Sequence, residues 1–158
     1  MPALDVDIRE IPAAELDTAI SLRAAMNREL NGSDPDVMYP GWRERFREFF
    51  SSRIQSDHAA VYIAESAGAP VGSAAIYKLH NHRSIIFQRE IGYITSVYVV
   101  PEGRGRGLGQ RLTQACIDWG RARGCRVIRL GASSMGLPMY LRMGFSPSNT
   151  LEMKFGDD

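Results

Sequence analysis

At 158 residues, 44% hydrophobic and 23% charged, the chain has the length and composition of one soluble globular domain, 1–158, long enough to bury a core. Its 19 Lys and Arg against 18 Asp and Glu leave a formal net charge of +1, which argues against bulk nucleic-acid binding. No apolar run is long enough to cross a bilayer, the opening "MPALDVDIRE" lacks the basic start and apolar centre of a signal peptide, and Cys116 and Cys125 stand without zinc spacing, so the expected setting is cytoplasmic and away from membranes.

In chain order, "VDIRE" (Val6–Glu10) alternates apolar and polar residues as a short strand does. Pro12 sits where a first helical turn tolerates proline, and Ala13–Leu30 reads as a helix. Arg23 and Asn27 lie on the same stripe of it as Leu16, Ile20, Met26 and Leu30. Polar groups on an inward face need a reason, because burying them unpaired costs free energy; they line a pocket or pair with neighbours. "NGSDPD" (Asn31–Asp36) is a loop by its turn residues. A second helix over Gly41–Ile54 gathers Trp42, Phe46, Phe49, Phe50 and Ile54 on one face. "AAVYIAE" and "PVGSAAIYKL" flank a hairpin turn, and "EIGYITSVYVV" (Glu90–Val100) is the longest strand expected.

Leu108, Leu112, Ala115, Cys116 and Trp119 then mark an amphipathic helix that stops near Gly124. "RVIRLGA" (Arg126–Ala132) reads as a strand, Ser134–Met143 as a short helix, and "FSPSNTLEMKF" (Phe145–Phe155) as a terminal extended segment. The order β-α-α-β-β-β-α-β-α-β predicts an α/β fold, a mixed central sheet with helices on both faces. His58, His80 and His82 have no diagnostic ligand spacing, and no metal is expected.

The most informative stretch is "SVYVVPEGRGRGLGQRL" (Ser96–Leu112), a strand, a glycine-rich basic turn and a helix start. The first N–H groups of a helix lack intrahelical acceptors, the helix dipole adds positive potential there, and glycine lets backbone approach phosphate. Arg104 and Arg106 would add charge-assisted bonds, and the expected ligand is a pyrophosphate. A phosphate-loop NTPase would need Lys and then Ser or Thr where Gln110 and Arg111 stand. A dinucleotide fingerprint fails as well, because Gly103, Gly105, Gly107 and Gly109 alternate and follow an antiparallel meander.

"Arg104-Gly105-Arg106-Gly107-Leu108-Gly109" resembles the R/Q-x-x-G-x-G/A signature of the GNAT N-acetyltransferase superfamily. "VYVVPE" precedes it as in those proteins, and "PMYLRMGF" (Pro138–Phe145) resembles their Tyr…Gly-Phe segment. The resemblance implies acetyl-CoA as cosubstrate, with its pyrophosphate on the amides from Gly105 through Arg106, Gly107, Leu108 and Gly109 to Gln110. It also implies a pantetheine arm along the backbone of Val97, Tyr98 and Val99, where the strand bulges and splays from Arg126–Leu130. A backbone N–H there would stabilise the thioester oxyanion.

Tyr140 matches the family's general-acid tyrosine. The glutamate that some members carry after the glycine helix is missing from "VIRLGAS", and Ser133 replaces the frequent Asn seven residues before the tyrosine; it is counted with the cofactor residues. Glu90 and Glu29 are the candidate bases, Glu90 the favoured one, and a water chain is the alternative. Arg23, Asn27 and Ser96 are the candidate acceptor-binding residues. These readings describe an acetyl-CoA-dependent N-acetyltransferase acting on an amine of a small molecule or peptide by direct attack, with a homodimer as the assembly the family suggests. A CoA-binding module without turnover, or a transferase of a larger acyl group, is the rival.

Overall fold

The structure is a computed structural model and describes residues 5–156. Five strands, β1 (Val6–Glu10), β2 (Ala59–Ser66), β3 (Ala69–Lys78), β4 (Ile91–Val99) and β5 (Val127–Leu130), form one sheet in the order β1-β2-β3-β4-β5. The first four pair antiparallel in sequence, β2 and β3 through a two-residue turn at Ala67 and Gly68, and β5 joins β4 parallel after a helical crossover. The mixed sheet expected from the element order is present.

Helices α1 (Leu16–Asn31) and α3 (Trp42–Gln55) cover one face and α5 (Leu108–Ala122) the other. Leu16 and Leu22 of α1 and Phe50 of α3 pack on Val61, Ile63 and Tyr98 of the sheet; against α5 lie Ala60, Ala74, Ile76 and Ile94. Each large side chain buried in these layers contributes about 1.5–3 kcal/mol. The α5 stripe read from the sequence is inward, with Leu108, Leu112, Cys116 and Trp119 at most 3% exposed. This helix lies close on the sheet because Gly120 faces it; a Cβ there would come within 2.7 Å of Ile128 Cδ1. That approach aims the start of α5 at the ends of β4 and β5.

Several boundaries differ from expectation, each for a local reason. The first helix opens with a 3-10 turn (Ala13–Glu15), and Leu30 on its last turn is exposed. The loop over Asn31–Asp36 contains a one-turn helix, α2 (Pro35–Met38), where the Asp34 side chain accepts from the Asp36 N–H and Pro35 opens the turn. A short α4 (His82–Ile86) is set by a capping box between Asn81 and Ser84. The segment from Phe145 to Phe155 forms no strand. Its one reachable neighbour, the outer edge of β5, is separated from it by a cavity, and an unpaired strand has no ladder to join. α6 (Leu137–Arg142) lies between β5 and that segment.

Candidate active site

The site is built where β4 breaks its own regularity. Ser73 pairs with Tyr98 and Ala75 with Thr95, so Ser96 and Val97 together oppose Ala74, a β-bulge. Ser96 takes up the extra residue in a left-handed conformation, φ 58°, unusual for a residue with a Cβ. The bulge exchanges the two faces of the strand. Before it, Ile94 faces α5 and Thr95 lines the α1–α3 side; after it, Val97 and Val99 pack on the α5 side while Tyr98 turns under α1.

β4 and β5 pair only from Ile91 with Val127 to Ile94 with Leu130, and beyond Leu130 β4 stays paired with β3 while its other edge is open. The Val100 N–H bonds to Val71 O at 2.9 Å, so strand alternation turns the Val99 peptide to the opposite edge, into the slot beside β5. The expected splay is therefore present, with the backbone of Val97 to Val99 at its lip.

At the end of that slot lies the glycine turn. Gly105 and Gly107 have φ of 80° and 74°, and a Cβ on either would meet no protein atom within 4 Å. The ladder of α5 begins with the Arg111 N–H on Gly107 O. Among the described residues the N–H groups from Gly105 to Gln110 have no protein acceptor. Consecutive amides of this kind at a helix start form an anion nest. Leu108 contributes only its amide, its side chain being buried and holding the turn to the core.

Arg106 is exposed and makes no ion pair among the described residues. Arg104 behaves differently. Its guanidinium pairs with Glu29 and donates from Nε to Val99 O at 3.1 Å, so it braces the turn against the end of α1 and does not face the nest. The hydrogen bond to Glu29 pushes the Arg104 pKa up. The same pair removes Glu29 from the candidate bases, since its carboxylate is bound to a cation.

On the α1–α3 face a cavity of about 490 Å³ opens against the bulge and brings together Arg23, Asn27 and Ser96. Arg23 donates from Nη1 to Ser96 Oγ at 2.9 Å and from Nε to Asn27 Oδ1 at 3.0 Å. The inward polar stripe of α1 thus lines a pocket and pairs with neighbours at once. Burial pushes the Arg23 pKa down, while its intrinsic basicity keeps it a cation. Trp42, Phe46 and Phe49 of α3, with Tyr77 of β3, supply an apolar wall. Tyr39, beside the mouth, comes from the loop region, and only the tertiary arrangement reveals it.

A larger cavity, about 1070 Å³, runs along the outer edge of β5. It contains neither the bulge nor any residue of the glycine turn. Tyr140 sits on its wall, 7% exposed, with its ring edge-on to Phe145 at 5.8 Å. Burial pushes the Tyr140 pKa up and a hydrogen bond with Thr113 of α5 pulls it back, so the phenol keeps its proton at neutral pH. It lies on the α5 side of the sheet, opposite the Arg23 cavity, with the slot between.

Two expected residues stand elsewhere. Glu90 precedes β4 at the end remote from the glycine turn, with Lys78 Nζ 3.8 Å from its Oε2. Six residues of strand, about 20 Å, separate it from Ser96, too far for a shared proton. Ser133 accepts the Gly136 N–H on its Oγ at 3.1 Å and so shapes the turn into α6. Both cysteines are free and buried, and burial pushes the Cys116 thiol well above its ordinary range, as expected of core residues. Among the described residues no His, Cys, Asp and Glu cluster suited to a metal occurs, and no helix is long and apolar enough to cross a membrane.

A bulged strand that splays over an amide nest, with a second pocket on the opposite face, defines an α/β protein with an anion-binding turn and a separate cavity across the sheet. The chain belongs to the acetyltransferase (GNAT) family, whose model matches residues 23–145. It is 28% identical over 148 residues to an uncharacterized N-acetyltransferase of Methanocaldococcus jannaschii, covering 92% of this chain and spanning 62% of that relative's length. An aminoglycoside N(6')-acetyltransferase type 1 of Salmonella typhimurium is 27% identical over 149 residues, 94% of this chain and 86% of that protein. A predicted acetyltransferase of Clostridium acetobutylicum, solved with acetyl-CoA, has the same fold, with a TM-score of 0.80 at 21% identity over 95% of this chain and 96% of the other.

Proposed function

We propose that this chain transfers an acetyl group from acetyl-CoA to an amine held in the Arg23 cavity. The observation that carries the reading is the row of unpartnered amides from Gly105 to Gln110 at the end of the β4–β5 slot. It suits a pyrophosphate, and the two left-handed glycines leave open the space where side chains would obstruct it. The likeness to a structure solved with acetyl-CoA supports the choice of carrier.

Transfer forms a C–N bond and breaks a C–S bond; the amine loses a proton and the departing thiolate gains one. The free edge of β4 at Val97 and Val99 offers N–H groups to the carbonyl oxygen, which becomes more negative as the bond forms. Such a preorganised donor contributes roughly 3–4 kcal/mol to the transition state. Tyr140, protonated at neutral pH, is the proposed proton donor to sulfur across the slot. No carboxylate lines the acceptor cavity among the described residues, so the amine proton leaves through water at the open mouth. The free cysteines agree with a reducing, cytoplasmic setting.

The missing base also favours a second reading, a CoA-binding module without turnover. Thiol release from acetyl-CoA over a panel of amines separates the two. Release above background on any amine supports transfer, and saturable acetyl-CoA binding with no release on the whole panel selects the binding module.

A further inference from the structure

We infer that the acceptor is a free α-amino acid with a large apolar or aromatic side chain, its carboxylate bound by Arg23. The inference rests on the transferase reading and names the substrate class of that site.

Arg23 is set apart by its burial. Arg9, Arg28, Arg43, Arg47, Arg104 and Arg123 each face a carboxylate within 4 Å, and most arginines without one, such as Arg45, Arg106 and Arg121, are exposed to solvent. Arg23 is more buried than an ordinary surface arginine, yet it has only the neutral oxygens of Asn27 and Ser96. Two of its five N–H donors are so used, and the rest of the planar fork has no acceptor among the described residues. A partly desolvated cation without a counter-ion is costly, and a fork of parallel donors matches a carboxylate. Among the described residues the cavity offers no acid, and it adds a second guanidinium, Arg45.

Position narrows the class further. Arg23 is bonded to Ser96, the bulge residue at the lip of the slot through which the acyl group must reach the acceptor face. An anion on Arg23 would therefore sit beside the bulge, close to the nitrogen that attacks. An amine and a carboxylate on the same carbon keep the two groups that close, whereas an anion at the far end of a sugar is held further from its amine. The third substituent of that carbon meets Trp42, Phe46, Phe49 and Tyr77, and a cavity of about 490 Å³ is of a size for such a molecule. A polycationic acceptor, such as the Salmonella relative's name specifies, would meet two guanidiniums and no carboxylate here.

The test is calorimetric titration of the CoA-saturated protein with L-phenylalanine, L-phenylalaninamide, 2-phenylethylamine, D-glucosamine 6-phosphate and kanamycin. Phenylalanine is expected to bind at least about tenfold more tightly than its amide, one charge-assisted pair being worth that much. Arg23→Met should abolish the difference between acid and amide, and Arg23→Lys should retain part of it. Equal binding of acid and amide, tighter binding of kanamycin or the sugar phosphate, or no binding of phenylalanine overturns the inference.

Titration with acetyl-CoA and thiol release run alongside keep the two levels apart. If acetyl-CoA binds and an amine without a carboxylate is the one acetylated, the amino-acid inference falls while the transferase stands. If acetyl-CoA does not bind, the transferase reading falls and this inference with it.

Discussion

Replacing Gly107 by alanine separates backbone strain from ligand obstruction. Gly107 has φ 74° and its Cβ would enter space that no protein atom occupies. Gly124, past the end of α5, has φ 80° and equally open surroundings, but it lies at the opposite end of that helix from the nest. Forcing a side chain into the left-handed region costs about 1–2 kcal/mol in either place. For a chain of this length each kcal/mol lowers Tm by about 2–4 °C, so both variants should melt about 2–8 °C below the parent.

Only Gly107→Ala puts a methyl group where phosphate oxygens must approach the amides. Losing one charge-assisted bond of about 1.5–3 kcal/mol weakens acetyl-CoA by about ten- to 150-fold. Thermal melts and calorimetric titration with acetyl-CoA measure the two effects on the same samples. Equal Kd in Gly107→Ala and the parent, or the same loss of affinity in Gly124→Ala, would refute the assignment of the nest.

Tyr140→Phe should lower kcat by about 10²–10⁴ with the acetyl-CoA Kd unchanged, and equal kcat in both proteins removes the tyrosine from proton transfer. Ser96→Gly relieves the left-handed strain but deletes the partner of Arg23, so its Tm should stay within a few degrees. Ser96→Val, β-branched at φ 58°, should lose about 2 kcal/mol or more, about 4–8 °C; equal melting of the two would contradict the bulge geometry. Glu29→Gln should leave kcat within about twofold, since a half-exposed ion pair contributes under about 1 kcal/mol; a loss of activity above tenfold would restore Glu29 as a base. Hydrogen bonds from Arg43 hold the Asp36 carboxyl below its ordinary 3.8, and Trp42 Nε1 donates to it as well. Because the folded value is depressed, the tether is intact above the ordinary value and is lost as pH falls through the folded one. Tryptophan emission should therefore shift below about pH 4 in the parent and not in Asp36→Asn, and identical profiles would count against the tether.

What the amino-acid sequence by itself determined is local in origin. Alternation marked the first strand, a turn between two apolar runs marked the hairpin, β-branched and aromatic content marked β4, the stripe from Leu108 to Trp119 marked α5, and alternating glycines before it marked the anion nest. Each depends on neighbours along the chain, through side-chain direction or backbone sterics. The inward polar pair on α1 was legible for the same reason, since period and burial agree at Arg23 and Asn27. What only the tertiary structure decided concerns residues distant in the chain. That Arg104 would meet Glu29, 75 residues away, and not phosphate depends on how α1 ends beside the turn. That Glu90 would lie about 20 Å from the bulge follows from its place at the wrong end of a strand whose direction is set by pairing. The extended segment after Phe145 has a strand's alternation at Leu151, Met153 and Phe155, yet a strand exists only where another edge meets it, and those three side chains stay exposed. Arg23 shows both levels in one residue: its face was written in the helix period, and its want of a carboxylate emerged only when α1, α3 and the bulge closed around it.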